Sequence, residues 1–244
     1  MNNRIKTVYV VHHSHTDIGY TDLQERVIRG QVNYIRSVLD IFGRNDDPTF
    51  KWNCETWFFV EKFLAGATGS RKDEFFRLVK DGRIGLSANY LNFTDLADCA
   101  VLRKKIMRAR EETEKAGAPL ICAMTADING ISMGQRDVLI DCGVEFLYMN
   151  IHCHHGMYPL FKNQTAYFWE NAEGKRLLVW NGEHYHLGNR LGIRPNRVYV
   201  DSVWREPDTE SGAAAMRSNL KAYLDECENE GYPYDFIIIS VSGV

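Results

Sequence analysis

The sequence predicts an α/β fold built on parallel strands, and three observations predict it. Short apolar runs rich in Val, Ile, Leu and Phe alternate along the chain with amphipathic stretches of helical length, the pattern of a parallel sheet wound as a barrel or as a doubly wound layer. Polar, ligand-capable residues follow these runs one after another, at the strand ends that share one face in a parallel barrel. With 45% hydrophobic and 12% aromatic residues, the 244-residue chain can bury a core of that size.

Lys6 to Val11 (KTVYVV) is short, apolar and β-branched, hence a buried strand. From Asp22 the chain turns helical. Ile28, Val32, Ile35, Leu39 and Phe42 fall at spacings of four and three, and Gly43 with Asp46-Asp47-Pro48 ends the run. Phe50 to Cys54 reads as a second strand. Glu55 to Leu64 and Asp73 to Val79 read as helical segments, parted by Gly66 to Ser70. Arg83 to Ala88 is a third strand. Leu96 to Ala116 is a charged helix with Leu102, Ile106 and Ala109 inward, stopped at Gly117 before Pro119. Leu120 to Ala126 is a fourth strand, Gln135 to Asp141 a short helix, and Glu145 to Ile151 a fifth strand. Ala166 to Glu170 and Arg176 to Trp180 flank a Gly-containing turn, which predicts a β-hairpin inserted after strand five. A loop rich in Gly, Asn, Arg and Pro follows. Ala213 to Glu228 is a helix, and Phe236 to Val241 (FIIISV) a sixth core strand. Residues 1–244 read as one domain, with no repeat or linker.

Composition excludes several function classes. Lys+Arg is 29 against Asp+Glu 32, a net charge of −3, so no surplus of cations is available for a nucleic acid or an anionic membrane. No run approaches the ~18 apolar residues of a membrane span. The N-terminus lacks a signal-peptide core. Six cysteines without a CxxC pair read as reduced thiols in a cytoplasmic protein, mostly core fillers. No GxGxxG or GxxxxGK[ST] follows a strand, so nucleotide binding lacks support.

The eight histidines lie in three clusters, at 12, 13 and 15, at 152, 154 and 155, and at 184 and 186. Such clustering suggests one site reached from several points of the chain. His15 and Asp17, two residues apart as the chain leaves strand one, can face one cation, and imidazole with carboxylate suits Zn²⁺ or a similar divalent metal. Asp127, at the end of strand four in TADINGIS, is either a turn residue or a third acid at the same mouth. There it can ligate the metal, act as nucleophile, or both. Glu55, Asn89 and Asn129 also follow strands. The cluster at His152 can ligate metal or hydrogen-bond a polar ligand, and its spacing does not decide between them. His184 and His186, beside Trp180 and Tyr185, suit a carbohydrate pocket or ordinary packing on the barrel.

At these residues the sequence resembles glycoside hydrolase family 38, the α-mannosidases, in its N-terminal catalytic domain. HHSHTDIGYTD is similar to that family's first motif and TADINGIS to its second; FKWNCETWFFVEKF and FWENAEGKRLLVWNG resemble less diagnostic segments. Ile18 stands where Pro is common, Tyr20 where Trp is usual, and Asn129 where an aromatic is common, which suggests a distant branch. The resemblance implies a (β/α)7-type barrel, one Zn²⁺ held by His15, Asp17 and Asp127, and Asp127 as the nucleophile of a retaining hydrolase of α-mannoside-like sugars. Tyr20, Asn129, His152, His184 and His186 are the expected substrate contacts, with carbohydrate as partner. The general acid and a further His ligand lie later in the family than FIIISVSGV. The chain is therefore expected to be the N-terminal part of a longer protein, with its barrel incomplete at the C-terminus and activity of the segment alone in question. Two other classes stay open: a metal-dependent sugar deacetylase, and a non-catalytic carbohydrate-binding protein.

Overall fold

The fold is described from a computed structural model. It covers residues 4–45, 47–93, 96–128, 130–151, 164–194, 198–200, 203–205 and 209–243. The elements run β1 (Thr7–Ser14), α1 (Gln24–Arg44), β2 (Trp52–Cys54), α2 (Trp57–Gly66), α3 (Gly69–Lys80), β3 (Ile84–Leu86), α4 (Cys99–Lys115), β4 (Cys122–Ile128), α5 (Met133–Asp141), β5 (Phe146–Ile151), β6 (Thr165–Glu170), β7 (Arg176–Asn181), α6 (Leu187–Arg190), β8 (Val198–Val200), β9 (Val203–Arg205), α7 (Thr209–Asn229) and β10 (Phe236–Gly243).

Helix boundaries follow local chemistry. Val32, Ile35 and Leu39 of α1 are buried, as their spacing requires, while Ile28 and Phe42 pack at the core's margin. The Asp98 carboxylate caps α4 by accepting from the Ala100 and Val101 N–H groups, and the Ser132 hydroxyl caps α5 by accepting from Gln135 N–H. Gly117 takes φ +67° just beyond α4, a left-handed stop that a side chain would strain.

Two sheets carry the architecture, in the orders β10-β1-β2-β3 and β4-β5-β7-β6. All pairings in the first are parallel, as are β4 with β5 and β5 with β7. The sheets meet where Ala88 N–H donates to the Cys122 carbonyl at 2.8 Å. They meet again where Tyr148 Oη lies 2.9 Å from Ser240 Oγ and Gln164 Nε2 donates to the Ile238 carbonyl at 2.8 Å. A cavity of about 420 Å³ lies between them, lined by Val11, Leu86, Met124, Leu147, Val179 and Ile238 among others. No continuous ladder closes a ring among the described residues. The rings of Phe63 and Phe75, both essentially buried, lie 5.3 Å apart and tilted by 45° in the helical layer.

Several expectations are corrected. Strand one extends through Ser14, because parallel pairing with β10 continues to Ser14↔Gly243; His12 and His13 are strand residues, not loop residues. The hairpin is not a simple insertion. β6 and β7 do pair antiparallel, but β7 also pairs with β5 from Phe146↔Leu178 to Met149↔Asn181, so only β6 is peripheral. The alternation of Leu177 and Val179, both fully buried, places β7 in the sheet. Of the five described cysteines, all free, Cys54 and Cys142 are buried whereas Cys99 and Cys122 are exposed. The predicted loop after β7 contains α6, β8 and β9. Here Gly188 lets α6 approach β10 closely, since a Cβ would stand 2.3 Å from Val241 Cγ2.

Candidate metal centre

β1 and β2 pair in parallel with His13 opposite Asn53. Two residues further along each, that register brings His15 level with Glu55. The Glu55 carboxylate accepts from both imidazoles, His13 Nδ1 to Oε2 at 2.5 Å and His15 Nδ1 to Oε1 at 2.7 Å. All three side chains are buried, and His15 is held from behind by its N–H donating to Ser242 Oγ at 3.1 Å. Asn92 Nδ2 donates to Glu55 Oε1, while Asn92 Oδ1 accepts from Ala126 N–H at 3.2 Å. One polar chain therefore links β1 to the end of β4.

Asp127 sits at that end in a conformation L-residues rarely adopt, with φ +60°. The cause is a bulge: β4 pairs Ala126↔Asn150 and then Ile128↔Ile151, and Asp127 is the extra residue. Bulges re-aim a side chain at the cost of ladder bonding, and left-handed backbone costs about 1–3 kcal/mol. Here the aim is toward His15, whose Nε2 lies 3.5 Å from Asp127 Oδ2. His15, Asp17 and Asp127 each present one ligand atom, all within 4.8 Å of one another. Tetrahedral ligands of a divalent metal stand roughly 3–4 Å apart, so the set needs little adjustment to close on one ion. His15 Nε2 is buried without a hydrogen-bond partner, as a ligand atom should be. Two acids and an imidazole on one point are the donor set that suits zinc or a similar cation.

Aromatic rings form a wall beside this point. The Tyr185 ring lies 4.4 Å from that of His15 and stacks on His184 at 4.5 Å and 20°. His186 lies 4.1 Å from Tyr185. Burial works to lower the His15 pKa, but the neighbouring Glu55 and Asp127 carboxylates outweigh it and hold the pKa well above 6.5. Burial likewise works to raise Glu55, and the two histidines outweigh it, holding the carboxyl below its ordinary value. Burial, and then the nearby His184, His15 and His13, bring His186 down to about 4, leaving a neutral ring at neutral pH. Burial, and then the charges of Asp127 and Asp17, push the Tyr185 hydroxyl up, so it stays protonated as a donor.

The glycosyl hydrolases family 38 N-terminal domain model matches residues 6–239. The chain belongs to glycosyl hydrolase family 38. Solved structures agree in fold. A family 38 protein from Enterococcus faecalis is 14% identical, with a TM-score of 0.66 over 98% of this chain and 24% of its own. An α-mannosidase from Enterococcus faecalis V583 is 16% identical, with a TM-score of 0.69 over 97% of this chain and 25% of its own. A 4-α-glucanotransferase from Thermococcus litoralis aligns more loosely, at 12% identity and a TM-score of 0.54, over 98% of this chain and 34% of its own. The chain thus spans about a quarter of the two Enterococcus proteins. No curated protein sequence matches it.

Within this family 38 domain, the expected metal ligands His15, Asp17 and Asp127 are brought together. His184 and His186 join them through Tyr185. Tyr20 is 87% exposed and stands outside this network of contacts. Asn129 and the cluster at His152 lie outside the described residues. Sequence reasoning noted Glu55 without giving it a role, and Tyr185 as an aromatic beside His184 and His186 suited to a carbohydrate pocket or to ordinary packing. The signal for Glu55 was an acid directly after an apolar strand; Asn92 and Ser242 carried none.

Proposed function

We propose that this domain is the metal-dependent catalytic domain of a retaining glycoside hydrolase acting on α-mannoside-like sugars. The observation that carries the reading is the convergence of His15, Asp17 and Asp127 at the strained bulge of β4. In this reading the two sheets close as a (β/α)7-type barrel in the complete protein, and residues 1–244 are its N-terminal part.

His15, Asp17 and Asp127 would hold one Zn²⁺. When bound, the ion supplies Lewis acidity that orients sugar hydroxyls and favours the distorted ring. The remaining work belongs to the chain. Asp127 Oδ attacks the anomeric carbon while the glycosidic C–O bond breaks and its electron pair goes to the leaving oxygen. That oxygen takes a proton from a second carboxylic acid, which is not assigned among the described residues. The same group, now a carboxylate, then deprotonates a water that attacks the anomeric carbon and releases Asp127, so the configuration is retained. The left-handed backbone at Asp127 fixes the carboxylate before substrate arrives, which lowers the entropy cost of attack. Tyr185 offers a ring for the apolar sugar face and a hydroxyl donor, His184 and His186 offer ring nitrogens, and Tyr20, Asn129 and His152 are proposed as further substrate contacts.

Turnover of a nitrophenyl glycoside panel by the full-length protein tests the reading. The α-mannoside should be cleaved, with activity abolished by a chelator and restored by Zn²⁺. Full activity in chelator would remove the metal from the account, and cleavage of every sugar but the α-mannoside would remove the substrate class.

A further inference from the structure

We infer that Glu55 is a positioning residue that dictates which nitrogen of His15 faces the metal and locks that ring to the strand bearing Asp127. The inference rests on the reading of His15 as a metal ligand. When a metal displaces one proton from the ring, the ligating imidazole keeps one N–H and one lone pair. A carboxylate only accepts hydrogen bonds, so the nitrogen facing it must carry the hydrogen. Glu55 Oε1 lies 2.7 Å from His15 Nδ1, which fixes the hydrogen there and leaves the lone pair on Nε2. Nε2 is the atom that has no hydrogen-bond partner and lies 3.5 Å from Asp127 Oδ2. A carboxylate behind a ligating histidine both orients the ring and raises its basicity, and loss of such a partner costs about 10–100-fold in metal affinity.

Two features separate this from a generic buried pair. Glu55 also receives His13 Nδ1 on its other oxygen, so neither oxygen is free to rotate away from its ring. It further receives Asn92 Nδ2, whose partner oxygen holds the Ala126 N–H immediately before Asp127. Glu55 thus ties the histidine ligand and the acid ligand to one buried carboxylate across two strands that are not hydrogen-bonded neighbours.

Zn²⁺ affinity, measured by competition with a chromophoric chelator, tests the inference in the wild type, Glu55→Gln and His15→Ala. The prediction is one Zn²⁺ per wild-type chain, no tight site in His15→Ala, and an unchanged stoichiometry with 10–100-fold weaker affinity in Glu55→Gln. Wild-type affinity in Glu55→Gln, with binding lost in His15→Ala, would overturn the role of Glu55 and leave the metal reading intact. Absence of any Zn²⁺ site in the wild type would instead overturn the metal reading on which the inference rests. Should Glu55→Gln fail to fold, the wild type still answers. Nitrogen-15 NMR of the Zn²⁺-loaded protein should show the hydrogen on Nδ1 of His15 and the metal on Nε2; metal on Nδ1 would contradict the inference.

Discussion

Replacing Asp127 by Asn is expected to lower kcat on an activated α-mannoside by on the order of 10⁴-fold, the scale seen when one member of a catalytic unit is removed. The carboxamide has nearly the shape of the carboxylate but no negative charge, and it is a poor nucleophile. Its effect should exceed that of any neighbouring polar change, because Asp127 is the group placed to attack and also one of the three ligands. Backbone strain argues that this position is tuned for function. A left-handed Asp at φ +60° is maintained by the bulge against β5, and Asn tolerates that conformation well. Asp127→Asn should therefore fold normally, and its thermal unfolding should match the wild type in chelator. A variant that kept more than a tenth of wild-type kcat would show that another group attacks the anomeric carbon.

The second large effect is on the metal. His15→Ala removes the only nitrogen donor of the three-residue set. Zn²⁺ affinity should fall by more than ~100-fold, beyond the scale for losing a supporting partner, and the purified variant should carry less than about a tenth of the wild-type metal content by atomic emission. Removing His15 also leaves Glu55 without one of its hydrogen-bond donors in a buried setting, which costs about 1–3 kcal/mol. Comparison must therefore include metal-free wild type, whose unfolding transition separates lost metal from lost packing. A His15→Ala protein with full metal content would remove His15 from the ligand set.

What could be read from the sequence divides by range. His15 and Asp17 lie in one short motif after an apolar strand, so their proximity is local and legible. α1 was legible for the same reason, since its buried face repeats within the helix itself. The position of Asp127 at a strand end was also legible, but its left-handed backbone was not, because that depends on the skipped pairing with β5. Glu55 was visible as an acid after a strand. Its grip on two histidines needs the His13↔Asn53 register between distant segments, which no local pattern encodes. The hairpin shows the same boundary: the turn at Gly174 is a local signal, whereas the parallel pairing of β7 with β5 is not. Four-residue α6 is too short to display a helical period, and β8 with β9 were hidden in a stretch dominated by Gly, Asn, Arg and Pro.

Covalent trapping tests the central claim most directly. A fluorosugar of the mannose series with a fluoride leaving group needs no protonation to depart, so labelling does not depend on the general acid. Cleavage by trypsin after Lys115 and Arg136 releases a peptide from Ala116 to Arg136 whose one acidic side chain is Asp127. The account predicts a mass increase of one fluoroglycosyl group on that peptide, lost in Asp127→Asn. Time-dependent inactivation with the label on any other peptide would contradict it.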